Sequence, residues 1–271
     1  MNVKRVLTSL IGFPIVLLML VFGNKYIFSA ICLIIALIGM NEYVKCVSKK
    51  VNVVKWISYV GALFVGIIPL MPEMYLSLLT TFGIPALLLI LFFHVIVTNM
   101  KITLEDITYT LLGILYIVGF MVFIPLTYSL EGNISGKFLI WYIIFPAWGT
   151  DIFAYIFGMR IGKTKFSKVS PKKSVEGCIA GTIGAVVSTI LLTVFFNMYF
   201  SLGISYLAIG IISFVLSIIG QIGDFSASVI KRAFEIKDFS ELFPGHGGML
   251  DRIDSVMYIA PFAYLLLTIC L

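Results

Sequence analysis

GISYLAIGIISFVLSIIGQIG, residues Gly203–Gly223, runs for 21 residues without a charge, and Asp224 follows it directly. A helix that spans a bilayer needs roughly 17–25 mostly apolar residues, so this stretch is read as a membrane span. Beyond it, DFSASVIKR (Asp224–Arg232) continues the helical pattern with polar residues. Asp224, Ser228 and Lys231 stand at i, i+4 and i+7 and share one helix face. The fold and the chemistry of the chain are therefore both to be sought where apolar runs end on charges.

Eight further apolar runs qualify, uncharged except for Asp151 in the sixth, at 6–22, 26–41, 56–72, 75–97, 107–129, 138–158, 178–200 and 255–271. The first is kept as a helix because no small-residue cleavage site precedes Asn24. Pro14, Pro72, Pro85, Pro125 and Pro146 lie in or near these runs, where neighbouring helices tolerate kinks. The expected fold is all-α: a polytopic integral membrane protein of about nine transmembrane helices with its polar site at the cytoplasmic face.

Composition agrees. The chain is 61% hydrophobic and 12% charged, where a soluble domain carries about 25% charged residues. Its mean hydropathy is +1.11. The net charge of +6 points to lipid headgroups or a small phosphorylated substrate, and not to nucleic acid. Cys32, Cys46, Cys178 and Cys270 are scattered and suggest neither a disulfide framework nor a zinc site. With the N-terminus cytoplasmic, seventeen of the nineteen basic residues fall inside, and Lys25 and Lys137 alone fall outside. The chain reads as one membrane-embedded unit, with N-terminal helices in 1–136 and a C-terminal region in 137–271 that carries the polar residues. Its two long cytoplasmic connections are 159–176 and 231–254.

Asp151 sits inside the sixth run, in AWGTDIFAYIFG, where a carboxylate costs about 2.5–3.5 kcal/mol. It serves either a helix–helix pair or an ion or substrate site. Tyr155 lies one turn on, on the same face, and Gly158 and Gly162 allow a helix or ligand close approach. The column Asp224–Ser228–Lys231 suits a magnesium–phosphate complex, and Arg232 adds a planar fork for phosphate. In the loop RIGKTKFSKVSPKKSVEG, Lys163, Lys165 and Lys168 are at least topology signals. Ser170, Lys172, Lys173 and Ser174 resemble a phosphate grip at a helix start. In PGHGGMLDRID, Gly245, Gly247 and Gly248 permit a sharp turn with backbone N–H groups offered to an anion. Asp251 and Asp254 are i, i+3 neighbours that either hold a divalent ion or form salt bridges, and Asp224 at the same level favours metal. Arg252 is a phosphate ligand or a partner of an acid. His246 binds phosphate, moves a proton, or is a turn residue.

Ser228-x-x-Lys231-Arg232, Lys237-Asp238, Ser240, Phe243-Pro244 and His246-Gly247-Gly248-x-x-Asp251-Arg252-x-Asp254 together resemble the signature of phosphatidate cytidylyltransferases, or CDP-diacylglycerol synthases. DIFAYIFG…GK…SPKKSVEG resembles that family's second polar block, with Ser174 where threonine is typical. The resemblance covers the C-terminal half. It implies that CTP and phosphatidate give CDP-diacylglycerol and pyrophosphate, with magnesium required and potassium as a candidate second metal. It also implies a homodimer among membrane lipids, in the plasma (inner) membrane, with N-terminus and active site cytoplasmic. The family's metal-binding acids carry over to Asp224 and Asp251, with Asp254 close by and Ser228 as a further ligand. Chemistry agrees, because the phosphate oxygen of phosphatidate is already a nucleophile toward the α-phosphorus of CTP. The protein has only to gather two anions and stabilise the leaving pyrophosphate, through metal at Asp224 and Asp251 and cations at Lys172, Lys173, Lys231 and Arg232. Two rivals remain: a CTP-dependent lipid kinase, which would release CDP, and an ion-coupled transporter, which would normally show inverted repeats that this chain lacks.

Overall fold

The structure is a computed structural model that describes residues 17–20, 22–167, 169–171, 173–243, 245 and 247–270. Twelve of the seventeen residues of the run 6–22 lie outside the described residues. Among the described residues every regular element is a helix, and seven helices are long and apolar enough to cross a membrane. The chain is an integral, multi-pass membrane protein. The run at 56–72 is shorter than a span: α2 (Lys55–Ile67) tightens into a 3₁₀ turn at Ile68–Leu70, where Pro69 cannot continue the α-helical bonding. The apolar helix Lys55–Leu70 reaches about 24 Å at 1.5 Å per residue, less than the ~30 Å hydrocarbon core.

The chain divides into two compact units. One takes in the chain up to Pro125 together with Phe239–Met249. Here α1 (Lys25–Val47), α2 and α4 (Leu104–Met121) pack on one another. Tyr43 on α1 donates its hydroxyl to the carbonyl of Tyr109 at 2.8 Å. Thr103 and Asp106 form a capping box at the start of α4, and Asp106 also accepts the N–H of Asn52 at 2.7 Å. Helix α3 (Glu73–Val97) is apolar around its circumference and mostly exposed, as suits a helix solvated by acyl chains.

The other unit holds Leu126–Asp238 and Leu250–Leu271. Short helices α5 (Phe123–Tyr128) and α6 (Gly136–Leu139) lead into a bundle of α7 (Trp141–Ile161), α8 (Val175–Phe200), α9 (Tyr206–Ala233) and α10 (Leu250–Cys270). Hydrogen bonds between polar side chains stitch the first three together. Tyr142 meets Thr193 at 3.0 Å, Thr150 meets Ser217 at 2.6 Å, Ser213 donates to Thr189 at 3.0 Å, and Gln221 donates to Thr182 at 2.9 Å. Each such bond between membrane helices contributes about 0.6–2 kcal/mol. Gly158 lies against Gly177, so the close approach expected of it is made by a neighbouring helix, α8. Helix α9 runs unbroken from the apolar stretch through DFSASVIKR, and α10 begins one residue before Asp251, as the sequence pattern predicts.

Candidate active site

The glycine beside Asp224 brings the acids together. A Cβ on Gly223 would lie 2.7 Å from Cβ of Tyr258 and 2.8 Å from the carbonyl oxygen of Asp254. Only a glycine lets α10 come that near α9 at this turn. The approach puts Asp254, which is buried, within electrostatic range of Asp224, Lys231 and Asp151. Asp151, on α7, in turn feels Lys173, Asp224 and Arg252. Thus Asp151, Lys173, Asp224, Lys231, Asp251, Arg252 and Asp254 form one charged cluster at one end of the bundle.

Among the described residues, ion pairs at Lys173 and Lys231 cross it. Lys173, from the 162–174 loop, pairs with Asp224, and its ammonium also lies 4.8 Å from the ring centroid of Phe225. Lys231 donates to Asp251 at 2.6 Å, and both side chains are largely buried. Ser228, one turn before Lys231 on α9, is also buried.

The loop is built to present Lys173. Its two limbs bond antiparallel, the N–H of Phe166 to the carbonyl of Lys173 at 3.0 Å and that of Val175 to Thr164 at 2.9 Å. Glu176 accepts the N–H groups of Lys163 and Thr164. Ser174 is the N-cap of α8, accepting the N–H of Gly177 at 3.1 Å. The carbonyl of Ser170 accepts the N–H of Lys173. Other expected site residues stand differently. Arg232 is exposed and donates to the carbonyl of Ile236 at 3.1 Å, Tyr155 is exposed, and Asp151 and Arg252 are exposed members of the cluster. Lys172 and His246 lie outside the described residues.

Beneath the loop, α8 and α9 enclose an open apolar groove of about 800 Å³, lined among others by Phe166, Ile179, Ile183, Ile222 and Phe225. Phe166 stacks on Phe225 with centroids 4.8 Å apart. The groove went unnoticed in the sequence because its residues read only as lipid-facing helix. The ring of Phe225 is shared: it lines the groove and carries the ammonium of Lys173.

The glycine-rich segment belongs to the first unit. Gly245 and Gly247 adopt φ of +81° and +87°, and Phe243 and Gly247 exchange backbone hydrogen bonds of 2.9 and 3.2 Å across the turn. The anion that meets this segment in the structure is Glu42 of α1, a residue that sequence reasoning missed. Its carboxylate accepts the hydroxyl of Ser240 at 2.5 Å and the N–H of Met249 at 2.8 Å.

As for a metal, no group of three or more His, Cys, Asp or Glu side chains among the described residues converges as a ready cage. Magnesium does not need one. It keeps several waters and takes one or two carboxylates plus substrate phosphates, which matches acids spaced through the cluster and interleaved with cations.

The class of protein this site belongs to is given by comparison with known families, since residues 3–270 match the model described as "Cytidylyltransferase family". The chain belongs to the phosphatidate cytidylyltransferase family. It is 32% identical to the phosphatidate cytidylyltransferase of Bacillus subtilis (strain 168), over 98% of this chain and 97% of that one. It is 32% identical to the one from Staphylococcus haemolyticus (strain JCSC1435), over 97% and 98%, and 30% identical to the one from Staphylococcus aureus (strain COL) with the same coverage.

Proposed function

We infer that the protein transfers CMP from CTP to phosphatidate, forming CDP-diacylglycerol and releasing pyrophosphate. One observation carries the reading: the charged cluster adjoins an apolar groove through the single ring of Phe225. A substrate with a phosphate head and acyl tails requires that adjacency. The groove takes the apolar part of phosphatidate, and Lys173 meets its headgroup phosphate.

Asp224 and Asp251 are the acids that would hold magnesium, with Ser228, Asp254 and Asp151 near them. Bound there, the ion would neutralise phosphate charge and make the α-phosphorus of CTP a better electrophile. Lys173 and Lys231 are ion-paired to those same two acids. As substrates bind, each lysine exchanges its carboxylate for phosphate oxygens, so the cations needed by the leaving pyrophosphate are held in place beforehand. Lys172, Arg232, Arg252 and His246 complete the phosphate-binding set, and Ser170, Ser174, Tyr155, Gly247 and Gly248 belong to the same substrate-binding proposal. The site faces the cytoplasm of a plasma membrane, and the protein works as a homodimer with magnesium, potassium being a candidate second metal.

The direct test is to incubate purified protein with phosphatidate, magnesium and radiolabelled CTP. The expected products are a labelled lipid and pyrophosphate. Release of CDP with no labelled lipid would instead identify a CTP-dependent kinase. Orientation has its own test: single cysteines in 159–176 and 231–254 should react with an impermeant thiol reagent only when it has access to the cytoplasmic side. Labelling of both loops from outside would invert the topology.

A further inference from the structure

Glu42 is an acid near the end of a helix apolar enough to cross a membrane, and it is 3% exposed. Such a carboxylate is tolerated only when donors surround it. The donors come from both ends of the segment Phe239–Met249. Ser240, near its start, gives its hydroxyl at 2.5 Å, and Met249, at its end, gives its backbone N–H at 2.8 Å to the same oxygen. Gly248 lies so close that a Cβ there would stand 2.6 and 2.7 Å from the two carboxylate oxygens. Between these ends the chain turns through Gly245 and Gly247 and is pinned across Phe243 and Gly247. The segment is a loop whose neck is closed by one side chain.

We propose that Glu42 is a positioning residue for cytidylyl transfer: it clamps the two ends of the glycine loop and so fixes the backbone at Met249, two residues ahead of Asp251. Its effect runs through the loop, without contact with substrate. The chemistry requires an anion of this length. Glutamine keeps the size and one acceptor oxygen but loses the negative charge that strengthens both bonds and puts an N–H₂ group in place of the second oxygen, and aspartate falls one methylene short of the donors. The inference rests on the transferase reaction and does not depend on which acids hold metal.

The test compares Glu42→Gln, Glu42→Asp and Ser240→Ala in the full-length protein in lipid nanodiscs. It measures kcat, KM for both substrates, and amide hydrogen exchange. Glu42→Gln should lower kcat by about tenfold or more, the scale of one lost hydrogen bond to a charged group, with KM for phosphatidate changed less than about twofold. Exchange should accelerate in peptides covering 239–249 while α7, α8 and α9 keep wild-type protection. Glu42→Asp should recover part of kcat relative to Glu42→Gln. Wild-type kcat in Glu42→Gln would overturn the proposal, as would unchanged exchange in the loop. Exchange rising equally throughout the protein would reduce Glu42 to a general stabiliser and overturn it too. If Glu42→Gln does not fold, Ser240→Ala decides: reduced kcat with faster exchange confined to the loop supports the clamp, and wild-type values for both refute it. Loss of the metal assignment for Asp224 and Asp251 would leave the exchange result untouched, so the two failures are distinguishable.

Discussion

Asp224→Asn and Asp251→Asn are each expected to lower turnover by about 100-fold or more, the scale on which one group stabilising transition-state charge contributes. The double variant is expected to fall little further. Groups that act as a unit are non-additive, and two carboxylates holding one ion are such a unit. The structure sharpens this test, because it offers a competing reason for both acids to matter. Each has its own lysine, Lys173 for Asp224 and Lys231 for Asp251. Two separate ion pairs would lose activity in independent factors that multiply. Steady-state kcat measured across a magnesium titration distinguishes the cases, and asparagine keeps the size of the side chain so that expression survives. Multiplying losses, each modest, would mean that the acids do not share an ion.

The second large effect is expected at Lys231. Its pair with Asp251 is largely buried, and removing one partner of a buried pair typically costs about 3–5 kcal/mol, because the other charge loses its compensation. Lys231→Met should therefore lower thermal stability as well as activity. Adding Asp251→Asn should restore much of the stability, since no uncompensated carboxylate then remains from that pair, but should restore no turnover. Recovery of both would make the pair purely structural. Lys173→Ala should behave more mildly in stability, because its pair with Asp224 is about a quarter exposed and solvent screens the loss.

Much of this arrangement is legible in the sequence, and the limit is informative. The continuation of the span through Asp224 to Arg232 follows from spacing alone, as does the start of a helix at Asp251. Which lysine meets which acid does not follow. Lys173 and Asp224 are brought together by the path of a loop, and Asp254 reaches Asp224 through a missing side chain at Gly223, a three-dimensional coincidence of two helices. Glu42 escaped for a different reason. Ending the second run at residue 41 leaves it as an ordinary interfacial charge, whereas α1 continues to Val47 and carries it as a buried residue of the helix. An acid followed by little more than one further helical turn was the signal available. Pro69 was likewise visible, but an apolar run does not say where α-helical bonding gives way to a 3₁₀ turn.

The clamp at Glu42 also bears on how the protein is made. Glu42 leaves the ribosome 198 residues ahead of Ser240. At about 5–20 residues per second, roughly 10–40 s of synthesis separate the carboxylate from the hydroxyl that will bind it. Throughout that interval α1 is already being handed to the bilayer, carrying an acid whose loop partners do not yet exist. The clamp therefore closes only after the last connection between helices has been translated, and a nascent chain truncated before Ser240 holds a membrane-inserted acid still waiting for both partners.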